Sequence, residues 1–379
     1  MKRNLLLTPG PTQIPADICA ALGRPIIHHR TPQFQENIKE VIEGLQYVFQ
    51  TKNEIYLLAS SGTGSMEAAV CNVLSPGDKA ITVEAGKFGE RWTELCQAYN
   101  AEARVLKAKW GSAVTAVEIK KALDEQPDTR AVFVTLNETS TGVVTDIEAI
   151  GKVVKDTGAI LVVDGVSGIG VVDCKTDAWH ADIVCSGSHK GFMLPPGLAF
   201  LSVSPKAYKL IENSTNARYY FDLRKSHKTF SKTDTPYTPA ISIVIGLCES
   251  LKKFKSEGIE SLFAKYERLA KGTRAAALAL GLSLLAEESC ISNVLTPIVL
   301  PESVDGGKLV KTMRDTYGVT VAGGQGHLKG KIIRISHMGC IDEYDILTGI
   351  SCLEKVLKEQ GYDFKLGTGL AAAQEVFNV

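Results

Sequence analysis

Two short apolar runs, each ending abruptly on polar or charged residues, constrain this chain more than any other feature. Ala159-Ile160-Leu161-Val162-Val163 stops at Asp164, and Ile183-Val184-Cys185 stops at Ser186-Gly187-Ser188-His189-Lys190. Apolar runs of this length without alternation read as strands buried on both faces, the habit of parallel sheets. Such sheets bind their ligands just beyond the carboxyl ends of the strands, and that is where Asp164 and Lys190 belong.

A lone carboxylate and a lone amine at neighbouring strand ends match what pyridoxal phosphate requires. The amine of Lys190 would form a Schiff base with the aldehyde, and Asp164 would keep the pyridine nitrogen protonated so that the ring accepts electrons. Taken singly, Asp164 is as well explained as a turn cap and Lys190 as a solvated surface residue. Together, at the ends of two core strands and with small residues before the lysine, they favour the cofactor.

The rest of the chain alternates in a compatible way. Apolar runs predict strands at 55–59, 80–84, 103–106, 131–135 and 198–203, with helices at 33–50, 116–125 and 146–157. Leu45, Val48 and Phe49 recur at helical spacing in the first of these helices and are candidate core residues. The alternation predicts an α/β domain on a mostly parallel sheet. A Lys- and Arg-rich stretch at 219–231 reads as a solvated loop, and a long helix follows at 240–256. Beyond it the pattern changes to a helix at 259–280, strands near 295–299 and 331–335, and a closing helix at 343–359. The expected division is an N-terminal arm over 1–15, a large α/β domain over 16–257 and a smaller C-terminal α+β domain over 258–379. Pro9-Gly10-Pro11-Thr12 and Pro15 make the arm extended, and its apolar start, Leu5-Leu6-Leu7, is expected to pack against something.

Several polar clusters fall at predicted strand ends. Ser60-Ser61-Gly62-Thr63-Gly64-Ser65 lies between a strand and a helix expected to begin near Met66. Free N–H groups and the helix dipole there suit one phosphate ester, although a bare tight turn has the same look. The Lys-Ser/Thr ending of a nucleotide P-loop is missing, as is the Gly-x-Gly-x-x-Gly spacing of dinucleotide folds. Phe88, between Gly86 and Gly89, is equally a ring-stacking residue or a core Phe. Asn137-Glu138-Thr139-Ser140-Thr141-Gly142 ends another strand. Arg334 sits alone within the apolar run Ile332-Ile333-Arg334-Ile335 and needs an anionic partner. That partner is a structural Asp or Glu or, more sharply, a substrate α-carboxylate gripped by the planar fork. No second arginine is obviously set for a dicarboxylate.

Composition narrows the field of functions. Lys+Arg and Asp+Glu are both 42 in 379 residues, so no nucleic-acid or acidic-membrane partner is indicated. Nine cysteines lie scattered without a Cys-x-x-Cys pair, which fits reduced residues of a cytoplasmic protein. Met1-Lys2-Arg3-Asn4 is followed by too short an apolar stretch for a signal peptide, and no run reaches membrane-spanning length.

Taken together these residues resemble the class V aminotransferases of fold-type I, in the branch of the alanine–glyoxylate and serine–pyruvate enzymes. The resemblance rests on Pro9-Gly10-Pro11-Thr12, Gln46-Tyr47-Val48-Phe49-Gln50-Thr51, Ser61-Gly62-Thr63 with Glu67, Glu138-Thr139-Ser140-Thr141-Gly142 and Val163-Asp164-Gly165-Val166. It continues through Ser186-Gly187-Ser188-His189-Lys190, Pro195-Pro196-Gly197 and Arg334-Ile335, so nearly the whole chain is covered. It implies that Lys190 carries the cofactor and that Asp164 meets the pyridine nitrogen. Val166 and Phe88 would take the two ring faces and Thr139 the phenolic oxygen. Ser61, Gly62, Thr63 and His189 would surround the phosphate, with Thr235 and Thr238 reaching it from the other subunit of a homodimer with shared active sites. Arg334 and Gly10 would lie on the substrate side. The implied reaction is a ping-pong transamination of alanine or serine with a 2-oxo acid such as glyoxylate or pyruvate. Two departures stand out: Phe88 where Trp is frequent, and His189 where Gln is frequent. A lyase or cysteine desulfurase on the same fold is the alternative, with Cys340 as the one candidate thiol in a polar loop, and a non-catalytic subunit of a larger complex is the third reading. For a hydrogenase subunit, no cysteine cluster suited to a redox metal is visible.

Overall fold

The structure is a computed structural model that describes residues 4–378, so Met1, Lys2, Arg3 and Val379 lie outside the described residues. Its larger sheet has seven strands in the spatial order Glu54–Leu58, Ala199–Val203, Ile183–Gly187, Ile160–Asp164, Ala131–Thr135, Lys79–Glu84 and Glu102–Lys107. Ala199–Val203 runs antiparallel to both its neighbours, and the other six strands share one direction. The four strands from Ala199–Val203 to Ala131–Thr135 are buried at every position, as their uninterrupted apolar character requires. Glu102–Lys107 forms the edge, where charged ends discourage pairing with another chain.

Helices cover both faces of this sheet, so two apolar clusters form, one on each side. Phe34, Ile38, Leu45 and Phe49 of the helix Pro32–Phe49 belong to one, and Met66, Ala69 and Trp92 belong to the other. A second sheet of five strands is ordered Leu5–Leu7, Val319–Gly323, Ile332–Ser336, Leu295–Val299 and Ser283–Leu284. Helices Ile259–Ala279, Gly306–Tyr317, Glu343–Glu359 and Thr368–Phe377 accompany it. This is the expected α/β architecture, a large mostly parallel sheet followed by a smaller α+β assembly.

Two local expectations are corrected. The helix expected near Met66 starts at Gly62, because Ser61 is extended and the small residues Gly62-Thr63-Gly64-Ser65 form its first turn. The charged stretch at 219–231 contains the helix Leu223–Phe230, whose Asp222 accepts the Arg224 N–H and whose Leu223 and Ser226 are buried. Leu5 and Leu7, by contrast, pack as expected: they are fully buried within their own chain, paired in parallel with Val319 and Val321.

Candidate active site

Because six strands of the large sheet share a direction, their carboxyl ends gather polar residues along one edge. There a cavity of about 220 Å³ is lined by Ser61, Gly62, Thr63, Met66, Phe88, Arg91, Thr139, Asp164, Val166, Ser167, His189 and Lys190. Nine of the residues singled out in the sequence meet here. Met66, Arg91 and Ser167 were not foreseen, although Arg91 is one helical turn after Phe88 and Ser167 three residues after Asp164.

Asp164 ends its strand fully buried and accepts the Val166 N–H at 2.9 Å. Burial pushes its carboxyl up to about 6, with the charge of Glu138 adding to the rise while Arg91 and Lys190 oppose it. Lys190 is also buried, and loss of water pushes its amine down to about 8 despite the attraction of Asp164. The extended Pro9-Gly10-Pro11-Thr12 segment lies over this lysine. Lys190 Nζ donates to the Pro9 carbonyl, and Thr12 Oγ1 donates to the Lys190 carbonyl at 2.8 Å. Gly10 has φ +116°, and a Cβ there would stand 2.4 Å from Lys190 Nζ, so only glycine lets the amine stay in place.

Opposite the lysine, the helix Gly62–Val73 begins without a side-chain cap. The N–H groups of Gly62 and Thr63 have no hydrogen-bond partner among the described residues, a ready anion site at a helix start. His189 faces the same cavity with a buried Nδ1 that finds no partner. Burial, and then the charge of Lys190, push its imidazole down to about 4, so it is neutral near pH 7.

Phe88 is held by a carboxylate behind it. Glu138, fully buried, accepts the N–H groups of Phe88 at 3.0 Å and Gly89 at 2.8 Å, and both the N–H and the hydroxyl of Ser140. It thereby caps the helix Lys87–Ala98 from a different strand end. The Arg91 guanidinium sits over the Phe88 ring, 5.2 Å from its centre.

Arg334 does not line the cavity but adjoins it. It is buried, with Nε donating to the Gly323 carbonyl at 2.9 Å and Nη1 to the Thr139 carbonyl at 2.8 Å. Both partners are neutral carbonyls, and burial pushes the guanidinium down to about 10. Thr235 and Thr238 lie elsewhere, on a separate groove with Leu57, Ala59, Leu198 and Tyr220. Arg30 ties the His28-His29-Arg30 turn to this groove, pairing with Asp234 and donating to the Thr235 carbonyl at 2.8 Å. Cys340 donates to the Gln13 carbonyl, and burial raises its thiol above the usual range, which weakens it as a nucleophile.

Among the described residues no group of three or more His, Cys, Asp or Glu side chains is placed to hold a metal ion, and no helix is long and apolar enough to cross a membrane. The cavity does suit pyridoxal phosphate: a helix start with free donors, an orphaned imidazole nitrogen, a buried carboxylate and a buried amine converge within it.

The family model described as Aminotransferase class-V matches residues 10–340. A protein of a Synechococcus species named soluble hydrogenase, small subunit, is 42% identical, with 99% of each chain covered. The L-aspartate–glyoxylate aminotransferase of Paracoccus denitrificans is 38% identical over 98% of this chain and 96% of its own length. The serine–glyoxylate aminotransferase of Hyphomicrobium methylovorum is 37% identical, over 98% of this chain and 94% of its own. Among solved structures, a ureidoglycine–glyoxylate aminotransferase from Bacillus subtilis superposes with a TM-score of 0.96 at 27% identity, covering 100% of this chain and 99% of that one.

Proposed function

The chain belongs to the class V aminotransferases, whose cofactor is pyridoxal 5′-phosphate, and from that premise we propose that it transfers the amino group of alanine or serine to a short 2-oxo acid such as glyoxylate or pyruvate. The observation that carries the reading is the meeting of the Lys190 amine and the Asp164 carboxylate, both buried, in one cavity. When bound, pyridoxal phosphate supplies an aldehyde that amines attack and a ring that accepts an electron pair.

The chain's own residues then divide the work. Lys190 would anchor the cofactor, and its free amine would serve to move the α-proton of the substrate. An amine pushed down to about 8 is uncharged often enough near neutral pH to take that proton. Asp164 supports charge on the pyridine nitrogen, while Val166 and Phe88 confine the ring. Thr139 serves the phenolic oxygen. Ser61, Gly62, Thr63 and the neutral His189 hold the phosphate, and Thr235 and Thr238 do so for the partner of a homodimer. The separate groove occupied by these two threonines supports their service to a second copy rather than to their own cavity. Arg334 receives the α-carboxylate, with Gly10 also assigned to the substrate side; two of the Arg334 donors already rest on carbonyls, which holds the fork in place.

Nine free cysteines support a reducing, cytoplasmic setting. One observation favours a second reading, a dicarboxylic donor: Arg91 brings another guanidinium to the cavity wall, against the expectation that no second arginine is so placed. The test is to add alanine, serine, glycine and aspartate singly to the holoenzyme and follow conversion of the cofactor to its amino form by absorbance. Conversion by alanine or serine supports the first reading, conversion by aspartate alone the second. Conversion by none would refute transamination of these donors.

A further inference from the structure

We propose that Asn137 is a positioning residue which, with Ser292 and Ser167, forms a one-way chain of hydrogen bonds that makes Thr139 a donor toward the cavity. The proposal rests on the reading that Thr139 faces the phenolic oxygen of the cofactor.

The chain begins beside the smaller sheet. The Val294 N–H donates to Ser292 Oγ at 2.9 Å. A hydroxyl has a single proton, and that of Ser292 goes to Asn137 Oδ1 at 2.5 Å. This contact fixes the orientation of the carboxamide, because a flipped NH₂ would leave the Ser292 proton without an acceptor. Asn137 Nδ2 therefore donates to Ser167 Oγ, at 2.8 Å. Ser167 Oγ lies 3.0 Å from Thr139 Oγ1 and 3.1 Å from the Asn137 carbonyl, and its one proton serves either. When Thr139 gives its proton to an anion in the cavity, its oxygen is free to accept, and Ser167 turns toward it. Every donor then points the same way, from the Val294 amide to the cavity.

Ser292, Asn137, Ser167 and Thr139 are all buried, so water does not compete for these bonds. In such surroundings aligned hydrogen bonds strengthen one another. The backbone is held at both ends as well: Arg334 donates to the Thr139 carbonyl at 2.8 Å, and the Ser292 N–H donates to the Gly142 carbonyl at 2.9 Å. The chain thus makes the polarity of a hydroxyl in the cavity depend on residues near the smaller sheet, more than 150 positions away in sequence, with 155 separating Asn137 from Ser292.

A donor aimed at an anionic oxygen stabilises the charged form and lowers the pH at which the adjoining group releases its proton. The experiment titrates the visible absorbance of the holoenzyme against pH in four variants: Thr139→Val, Ser167→Ala, Ser292→Ala and Asn137→Asp. Thr139→Val should raise the midpoint by about one pH unit, a tenfold change in proton affinity. Ser167→Ala should follow it closely, and Ser292→Ala should move it the same way by less. Asn137→Asp can only accept, so it draws the Ser167 proton away and should also raise the midpoint. Ser292→Thr, which keeps the hydroxyl, should restore the native value. Should Ser167→Ala fail to fold, Ser167→Cys keeps the size with a weak donor and takes its place. A midpoint that moves in Thr139→Val but not in the Ser167 and Ser292 variants overturns the chain while leaving the role of Thr139 intact. An unmoved midpoint in Thr139→Val removes the premise itself, and both readings fall.

Discussion

Replacing Gly62 by alanine should narrow the cofactor cavity by a route that a second substitution reverses. A Cβ at Gly62 would stand 2.7 Å from Val166 Cγ2 and 2.8 Å from Cγ1. Ordinary contacts begin at 3.4 Å, so Val166 has to give way by about 0.7 Å, the difference between 3.4 and 2.7. Val166 lines the cavity on the side where the ring is proposed to lie, so the displacement is charged against the ligand. Overpacking of this size costs about 1–3 kcal/mol, or roughly a 5- to 150-fold loss of cofactor affinity if all of it falls on the bound state. Alanine at the first turn would otherwise favour the helix slightly, by up to about 1 kcal/mol, so the cofactor-free protein should lose little stability. Val166→Ala alone should weaken binding by lost packing. The double variant should bind better than the sum of the two single effects predicts, with a coupling of about 1 kcal/mol or more. Equilibrium dialysis of cofactor against the four proteins, together with urea melts of the cofactor-free forms, measures both quantities. Native affinity in Gly62→Ala, or strict additivity in the double variant, would refute the reasoning.

Four further outcomes are expected. Borohydride reduction of the holoenzyme followed by peptide mapping should place the pyridoxyl group on Lys190, and label on another lysine would remove that assignment. In the cofactor-free protein, an amine-specific reagent should modify Lys190 with a midpoint near pH 8, because burial favours the uncharged amine; a midpoint near the ordinary 10.5 would contradict the buried environment. Arg334→Lys keeps the charge but loses the fork, so the half-reaction with an amino acid should slow at least about tenfold while simple amines are spared; equal loss for both would make Arg334 structural. Mixing the inactive variants Lys190→Ala and Thr238→Arg should regain activity through one intact site per mixed dimer if Thr238 serves the partner's phosphate, and none if it serves its own chain.

Much of this molecule was legible without coordinates because its chemistry sits where apolar runs stop. Uninterrupted burial demands an apolar strand, and the first polar residue after it has to lie at the sheet edge, which is how Asp164 and Lys190 were located. The Gly- and hydroxyl-rich Ser61-Gly62-Thr63 turn was readable for a similar reason, since few sequences fit between a strand end and a helix start. Other features depended on packing that no local pattern encodes. The helix Leu223–Phe230 looked like a loop because two buried positions, Leu223 and Ser226, suffice to seat it beneath a charged surface. Leu5–Leu7 shows from its apolar character that it must pack, but not against what, because its partner, Val319–Val321, lies more than 300 residues further along the chain. Arg91 and Ser167 carry ordinary local signals, and only the folded backbone turns them toward the cavity. Most of all, the link from Arg334 and Ser292 to Thr139 exists because two sheets meet at the Asn137–Thr139 turn. Sequence fixes which side chains need a partner, since burial and hydrogen bonding are local demands. Which partner each one finds is a long-range outcome, decided by how the two sheets pack.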